Sequence, residues 1–131
     1  MATTAQETDQ ITRAVELYVE GCREGDAAKL REAFHPDSRM WGSLGGARYD
    51  IPISEMIAMI DGKPVDVDGS YQTRVTSVEQ TDDVASVVLV EDGFWATVSF
   101  VDYFALARID GAWKIVNKTF VHTGGELPAA E

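Results

Sequence analysis

Long hydrophobic runs are missing from this chain. No segment approaches the about 18 consecutive apolar residues that a membrane-spanning helix needs, and the opening MATTAQETDQ lacks the basic region and apolar run of a secretion signal. Cysteine is almost absent as well. Cys22 stands alone, which excludes an internal disulfide, and no CxxC or HExxH spacing suggests a redox or metal centre. Positive charge is scarce: 11 basic residues face 22 acidic ones, for a net charge of -11, a balance that opposes nucleic acid phosphates and anionic membrane surfaces. No internal repeat and no linker divides the chain. These absences lead us to expect a cytoplasmic protein with no cofactor, no metal, no nucleic acid partner and no membrane partner. Asn117-Lys118-Thr119 has the form of a glycosylation sequon, but without a secretion signal, and inside an expected strand, it carries no weight.

What is present reads as one globular domain spanning 1–131, with flexible tails expected at about 1–8 and 124–131. Hydrophobic residues make up 45% and charged residues 25% of the chain, the ordinary proportions of a packed domain. Ile11, Val15, Tyr18, Val19 and Cys22 recur at three- and four-residue steps, the period of an amphipathic helix, and Thr4 with Glu7 has capping-box spacing. Gly25 supplies the stop and Asp26 a cap for a second short helix, Ala27 to Phe34, which Pro36 ends. Arg39 to Gly42 and Ala47 to Ile53 read as short extended segments around Leu44-Gly45-Gly46. Ser54 is placed to cap a third helix with Met56, Ile57 and Ile60 on one face and Gly62 behind it. Strands follow, roughly Ser70 to Gln80 and Val84 to Glu91, with a loop around Asp92-Gly93. Helices first and strands afterwards indicate an α+β domain.

The last third of the chain is the most informative. Two alternating runs meet at Asp110-Gly111, which readily supplies the positive φ angles of a two-residue hairpin turn. Counting back from that turn pairs Ile109 with Ala112 and Asp102 with Thr119. One face then carries Phe100, Asp102, Phe104, Leu106 and Arg108 opposite Trp113, Ile115, Asn117, Thr119 and Val121. A carboxylate in such a row is costly unless it is hydrogen-bonded, protonated or used. The other face collects Val101, Tyr103, Ala105, Val116 and Phe120, with Lys114, Lys118 and His122 alongside. Three short helices cannot cover both faces of the sheet, so this patch predicts a homodimer through the convex face.

The element order, REGDAAKLREAFHPDS early and DYFALARIDGAWKIVNK late together resemble the NTF2-like superfamily, most closely its SnoaL-like group and the group called putative lumazine-binding. That resemblance implies a cystatin-like cone: a curved antiparallel sheet wrapped around a long N-terminal helix, with two shorter helices and a pocket at the open end. AVELYVEGCREGDAAKLREAF, from Ala14, also resembles the first two helices of the ketosteroid isomerases. This likeness implies that Tyr18 and Asp102 are oxyanion-hole donors, with Asp102 kept protonated. It places Gly42 where those isomerases have their catalytic base.

Two functions of different class stay open. One is a small-molecule-binding protein holding an apolar or aromatic compound, its pocket lined by Trp41, Tyr49, Phe100, Phe104, Asn117, Thr119 and His35. The alternative is an enzyme of the isomerase, polyketide cyclase or dehydratase type, with Asp102 and Tyr18 as its catalytic residues. Gly42 favours the first, and the acid on an apolar face favours the second. His35, Asp50 or His122 would have to replace the missing base. A carboxylate or histidine within reach of Asp102 would tip the balance towards the enzyme.

Overall fold

The structure, a computed structural model, describes residues 4–127, with side chains from residue 6 onward. Helix α1 (Thr4–Glu24) buries the expected stripe of Ile11, Val15, Tyr18 and Cys22, together with Ala14. The expected cap at Thr4 lies outside the residues whose side chains are described. Glu7 accepts from the Gln80 side chain at 2.9 Å and pairs with Arg108. Gly25 ends the helix at φ +67, the left-handed conformation that glycine adopts at least cost. Asp26 then accepts from the backbone N–H of Ala28 at 3.0 Å and of Lys29 at 3.2 Å, which caps α2 (Ala27–Ala33).

Helix α3 (Ile53–Ile60) starts one residue before the expected Ser54 cap. Its N-cap is Pro52, whose fixed φ of -58 sets the entry, and no side-chain cap bond forms. Ile53, Met56, Ile57 and Ile60 are buried and Gly62 follows the end at φ +71. The outermost parts of the expected tails, 1–3 and 128–131, lie outside the described residues. The inner parts are helical from Thr4 and extended to Gly124.

Six strands form one curved sheet in the order β2-β1-β6-β5-β4-β3. They are β1 (Phe34–Leu44), β2 (Ala47–Pro52), β3 (Gln72–Thr81), β4 (Val84–Phe94), β5 (Val98–Ile109) and β6 (Ala112–Gly124). All pairs are antiparallel except β1 with β6, which run parallel. Strand β1 is much longer than Arg39 to Gly42. It takes over directly from α2, and a register shift between Phe34 and Arg39 accommodates Pro36, which has no N–H to give to a ladder. Strand β4 likewise runs through Asp92-Gly93 to Phe94, and the chain turns instead at Trp95 and Ala96, both at positive φ. The sheet wraps α1 without closing, which makes the domain an α+β cone with its long helix at the N-terminus.

The Asp110-Gly111 turn forms as counted, with φ 52 and φ 81, and pairs Ile109 with Ala112 through to Leu106 with Ile115. Beyond that point the count fails. Val116 is an extra residue: Ala105 pairs with Asn117, and Asp102 faces Phe120 instead of Thr119. A bulge of one residue reverses every later side chain. Asn117, Thr119 and Val121 therefore point outward and are exposed, while Lys118 is buried and Phe120 packs against the core. A second shift, between Ser99 and Phe100, leaves His122 beside Phe100 with ring centroids 6.0 Å apart. The outer apolar patch accordingly loses Phe120 and gains Val121, next to Tyr103 and Val101.

Candidate functional site

On the inner surface of the cone the strands bring together a group of polar side chains that are almost wholly buried. Asp102 on β5 and Glu91 on β4 are both 0% exposed, and Lys118 on β6 is 6% exposed. The two acids share a face because Glu91 pairs with Phe100 and Leu89 with Asp102, which makes Glu91 and Asp102 diagonal neighbours. Glu91 is well satisfied. Its Oε2 accepts from the Tyr18 hydroxyl at 3.2 Å and its Oε1 from the Tyr71 hydroxyl at 2.5 Å. Tyr71 is held by a loop in which the Asp66 carboxylate accepts from the backbone N–H of Gly69 and of Tyr71.

Asp102 is different. Neither of its oxygens has a hydrogen-bond partner among the described residues, and Lys118 Nζ stands 3.7 Å from Oδ1, beyond hydrogen-bond length. Burial drives the Asp102 carboxyl well above the usual carboxylate range; the Glu91 charge adds to the rise and the Lys118 ammonium opposes it. Asp102 therefore holds its proton to higher pH than an ordinary carboxyl does. The hydroxyl of Tyr18 and the thiol of Cys22, one helical turn apart, are pushed upward, chiefly by burial and then by the neighbouring acids. Both stay protonated.

Lys118 links this cluster to a cavity of about 250 Å³ at the open end. The walls are apolar: Met40, Leu44, Tyr49, Met56, Ile60, Phe94, Phe100 and Phe120, with Trp95 and Leu127 also lining it. Tyr18 and Lys118 also line it. The amine lies 4.6 Å from the Phe120 ring centroid and 5.6 Å from that of Tyr18, and it donates to Met40 Sδ at 3.6 Å. Beyond Asp102 at 3.7 Å, the amine is held against two ring faces and a thioether, which are weak partners for a cation. The volume lies below the about 300–1,000 Å³ of pockets for drug-sized compounds, so the fitting ligand is small.

Of the expected wall residues, Tyr49 and Phe100 line this cavity, and Phe104 lies just behind it, edge-on to Tyr18 at 5.1 Å. Trp41, Asn117 and Thr119 do not. They share a groove on the outer face, where Trp41 is 43% exposed and Arg48 stacks on it at 4.4 Å. His35 borders a separate hollow beside α3. Asp50 is tied to Arg39 at 3.0 Å on the surface, far in the fold from Asp102. Gly42 pairs with Phe120, and a Cβ there would meet the Phe120 carbonyl at 2.4 Å and its ring at 2.6 Å. Gly42, which the resemblance to the isomerases sets at the place of their base, has no room for any side chain.

Glu91 and Lys118 are the members that sequence reasoning missed. Glu91 sits among strand-end acids that normally face solvent, yet Ala85, Val87, Leu89 and Glu91 are successive inward positions of β4. In the residues themselves that alternation is masked, because Val88 and Val90 make outward positions of β4 apolar too. Lys118 had no signal, because it depends on the Val116 bulge.

Residues 6–121 match the model of the family described as "Putative lumazine-binding". The aldolase FrzH of Cladobotryum sp is 26% identical over 118 residues, covering 89% of this chain and 92% of that protein. An NTF2-like protein of unknown function from Silicibacter pomeroyi superposes with a TM-score of 0.84 at 25% identity, covering 93% of this chain and 100% of the other. A ketosteroid isomerase-like protein from Erwinia carotovora atroseptica superposes at 0.70 with 16% identity, covering 91% and 98%, a likeness of fold alone.

Proposed function

The chain belongs to the putative lumazine-binding family of NTF2-like proteins, and on that footing we propose that it is an enzyme moving protons next to the carbonyl group of a small, largely apolar compound. The observation that carries this reading is the acid pair. A pocket that merely holds an apolar ligand has no use for two fully buried carboxyls, one of them with both oxygens unpartnered. Such a group costs stability, and groups of this kind concentrate where chemistry is done. Glu91 is the carboxylate within reach of Asp102 that the missing base at Gly42 had left wanting.

In this reading the pair carries one proton and can give or take another. Enolate or enamine formation places negative charge on a carbonyl oxygen, and the Tyr18 hydroxyl and the Lys118 ammonium stand at the cavity wall to receive it. Aldol, cyclisation and isomerisation reactions all begin with this step, and the FrzH relative, named an aldolase, supports the first of them. The exposed Tyr103 and Val121, at 60% and 52%, support a homodimer through the outer face, which light scattering at micromolar concentration would overturn by returning a monomer mass.

The test needs no natural substrate. In D₂O, proton NMR follows the loss of the α-protons of 2-tetralone. Wild-type protein is expected to accelerate the exchange, and Glu91→Gln and Asp102→Asn to remove most of that acceleration. Binding of the ketone, seen as a raised melting temperature, with no acceleration over buffer would leave a small-molecule-binding protein in place of the enzyme.

A further inference from the structure

We propose that Lys118 is a covalent catalyst, its amine condensing with the carbonyl group of the ligand to form an iminium ion; this rests on the proton-transfer reading above. Asp102 is fully buried and does not line the cavity, whereas Lys118 does. The member of the cluster that meets a ligand is the amine. It is 6% exposed, and among the described residues its nearest polar atoms are the Met40 sulfur at 3.6 Å and Asp102 Oδ1 at 3.7 Å, the latter beyond hydrogen-bond length.

The surroundings suit each step. Passing a proton from Lys118 to the acid pair, 3.7 Å away at Asp102, removes two buried charges at once and leaves a nucleophilic amine. Its nitrogen adds to the carbonyl carbon, and the resulting hydroxyl takes a proton from the pair and departs as water. The C–O bond is replaced by C=N⁺, and the positive charge stays where the ammonium was, against the ring faces of Phe120 and Tyr18. The carboxylate that remains accepts the α-proton through the Tyr18 hydroxyl, which lines the cavity and donates to Glu91, giving an enamine whose carbon can attack a second carbonyl compound; the new alkoxide takes a proton back from the pair, and water then releases the product and returns the ammonium. Every proton that is moved stays within the cluster or leaves with water or the product.

Benzaldehyde with cyanoborohydride tests this on the intact protein, since hydride traps an imine as a stable benzyl amine that peptide mass spectrometry locates. The chain contains four lysines, and Lys29, Lys63 and Lys114 serve as internal controls. We expect Lys118 to be labelled roughly tenfold or more faster than Lys63, to one benzyl group per chain, with 2-tetralone competing. Labelling of the controls with Lys118 spared, or no faster than Lys63, overturns the inference. The near-isosteric Lys118→Met variant, checked for folding by circular dichroism, separates the two levels. If it keeps α-proton exchange while Glu91→Gln loses it, the covalent step falls and proton transfer stands. If Glu91→Gln and Asp102→Asn also exchange like wild type, both fall.

Discussion

Two parts of one interior, built on the same helix and strands, follow opposite rules. Towards the Asp110-Gly111 turn, Ile11 and Val15 of α1 belong with Leu106, Trp113 and Ile115 to an apolar core, which Arg108 borders by stacking on Trp113. One to two turns further along α1, Tyr18 and Cys22 meet Glu91, Asp102 and Lys118 on the next inward positions of the sheet. The first region does what a fold requires, since burying such side chains contributes about 1.5–3 kcal/mol each. The second gives up that gain at three neighbouring sites. The Val116 bulge lies between them on β6 and turns Lys118 towards the cluster. The difference teaches that the cone's stability and its chemistry are divided along the length of α1.

The sharpest way to break this division is to exchange the consequences of mutation. Glu91→Gln and Asp102→Asn are expected to lower α-proton exchange about 10²–10⁴-fold, the usual span for removing an acid or base. Leu106→Ala, in the apolar region, is expected to leave exchange per folded molecule unchanged and to lower unfolding free energy by about 2–5 kcal/mol, read by urea titration. Comparable activity losses from both kinds of variant would erase the distinction.

Acidity gives a smaller effect with a definite sign. Asp102 is held protonated in the folded chain above its ordinary value of 3.8, so the native state binds more protons than the unfolded one. Its contribution is fully present below 3.8 and is lost as pH rises towards the folded value, at about 1.4 kcal/mol per pH unit for one proton. Asp102→Asn should flatten the pH dependence of stability by that one-proton slope, which urea titrations at several pH values will register. Smallest is Asp26→Ala, which belongs to neither region. Loss of the α2 cap should cost about 1 kcal/mol and leave exchange and pH slope alone.

Much of this was legible in the residues. The stripe of α1, the caps at Gly25 and Asp26 and the Asp110-Gly111 turn depend on local chemistry, and each appears where that chemistry puts it. Asp102 was legible because Phe100, Phe104 and Leu106 alternate around it. The parallel pairing of β1 with β6 was not, since nothing local to either strand encodes a contact so distant along the chain. Asn117 and Thr119 were assigned inward and Lys118 outward for a single reason: a bulge costs one residue in the count and leaves no mark in composition. Glu91 was passed over because Val88 and Val90 make the outer face of β4 as apolar as its inner one, so alternation there does not reveal which side is buried.

The central claim, that the inner acid pair keeps a proton at neutral pH, is tested most directly by carbon-13 NMR of the side-chain carboxyl groups. Asp102 would be assigned by the resonance missing from Asp102→Asn. At pH 7 its carboxyl carbon should sit at the position of a protonated acid and move only at higher pH. A titration centred near 3.8, with the carbon at the carboxylate position by pH 7, would contradict the account.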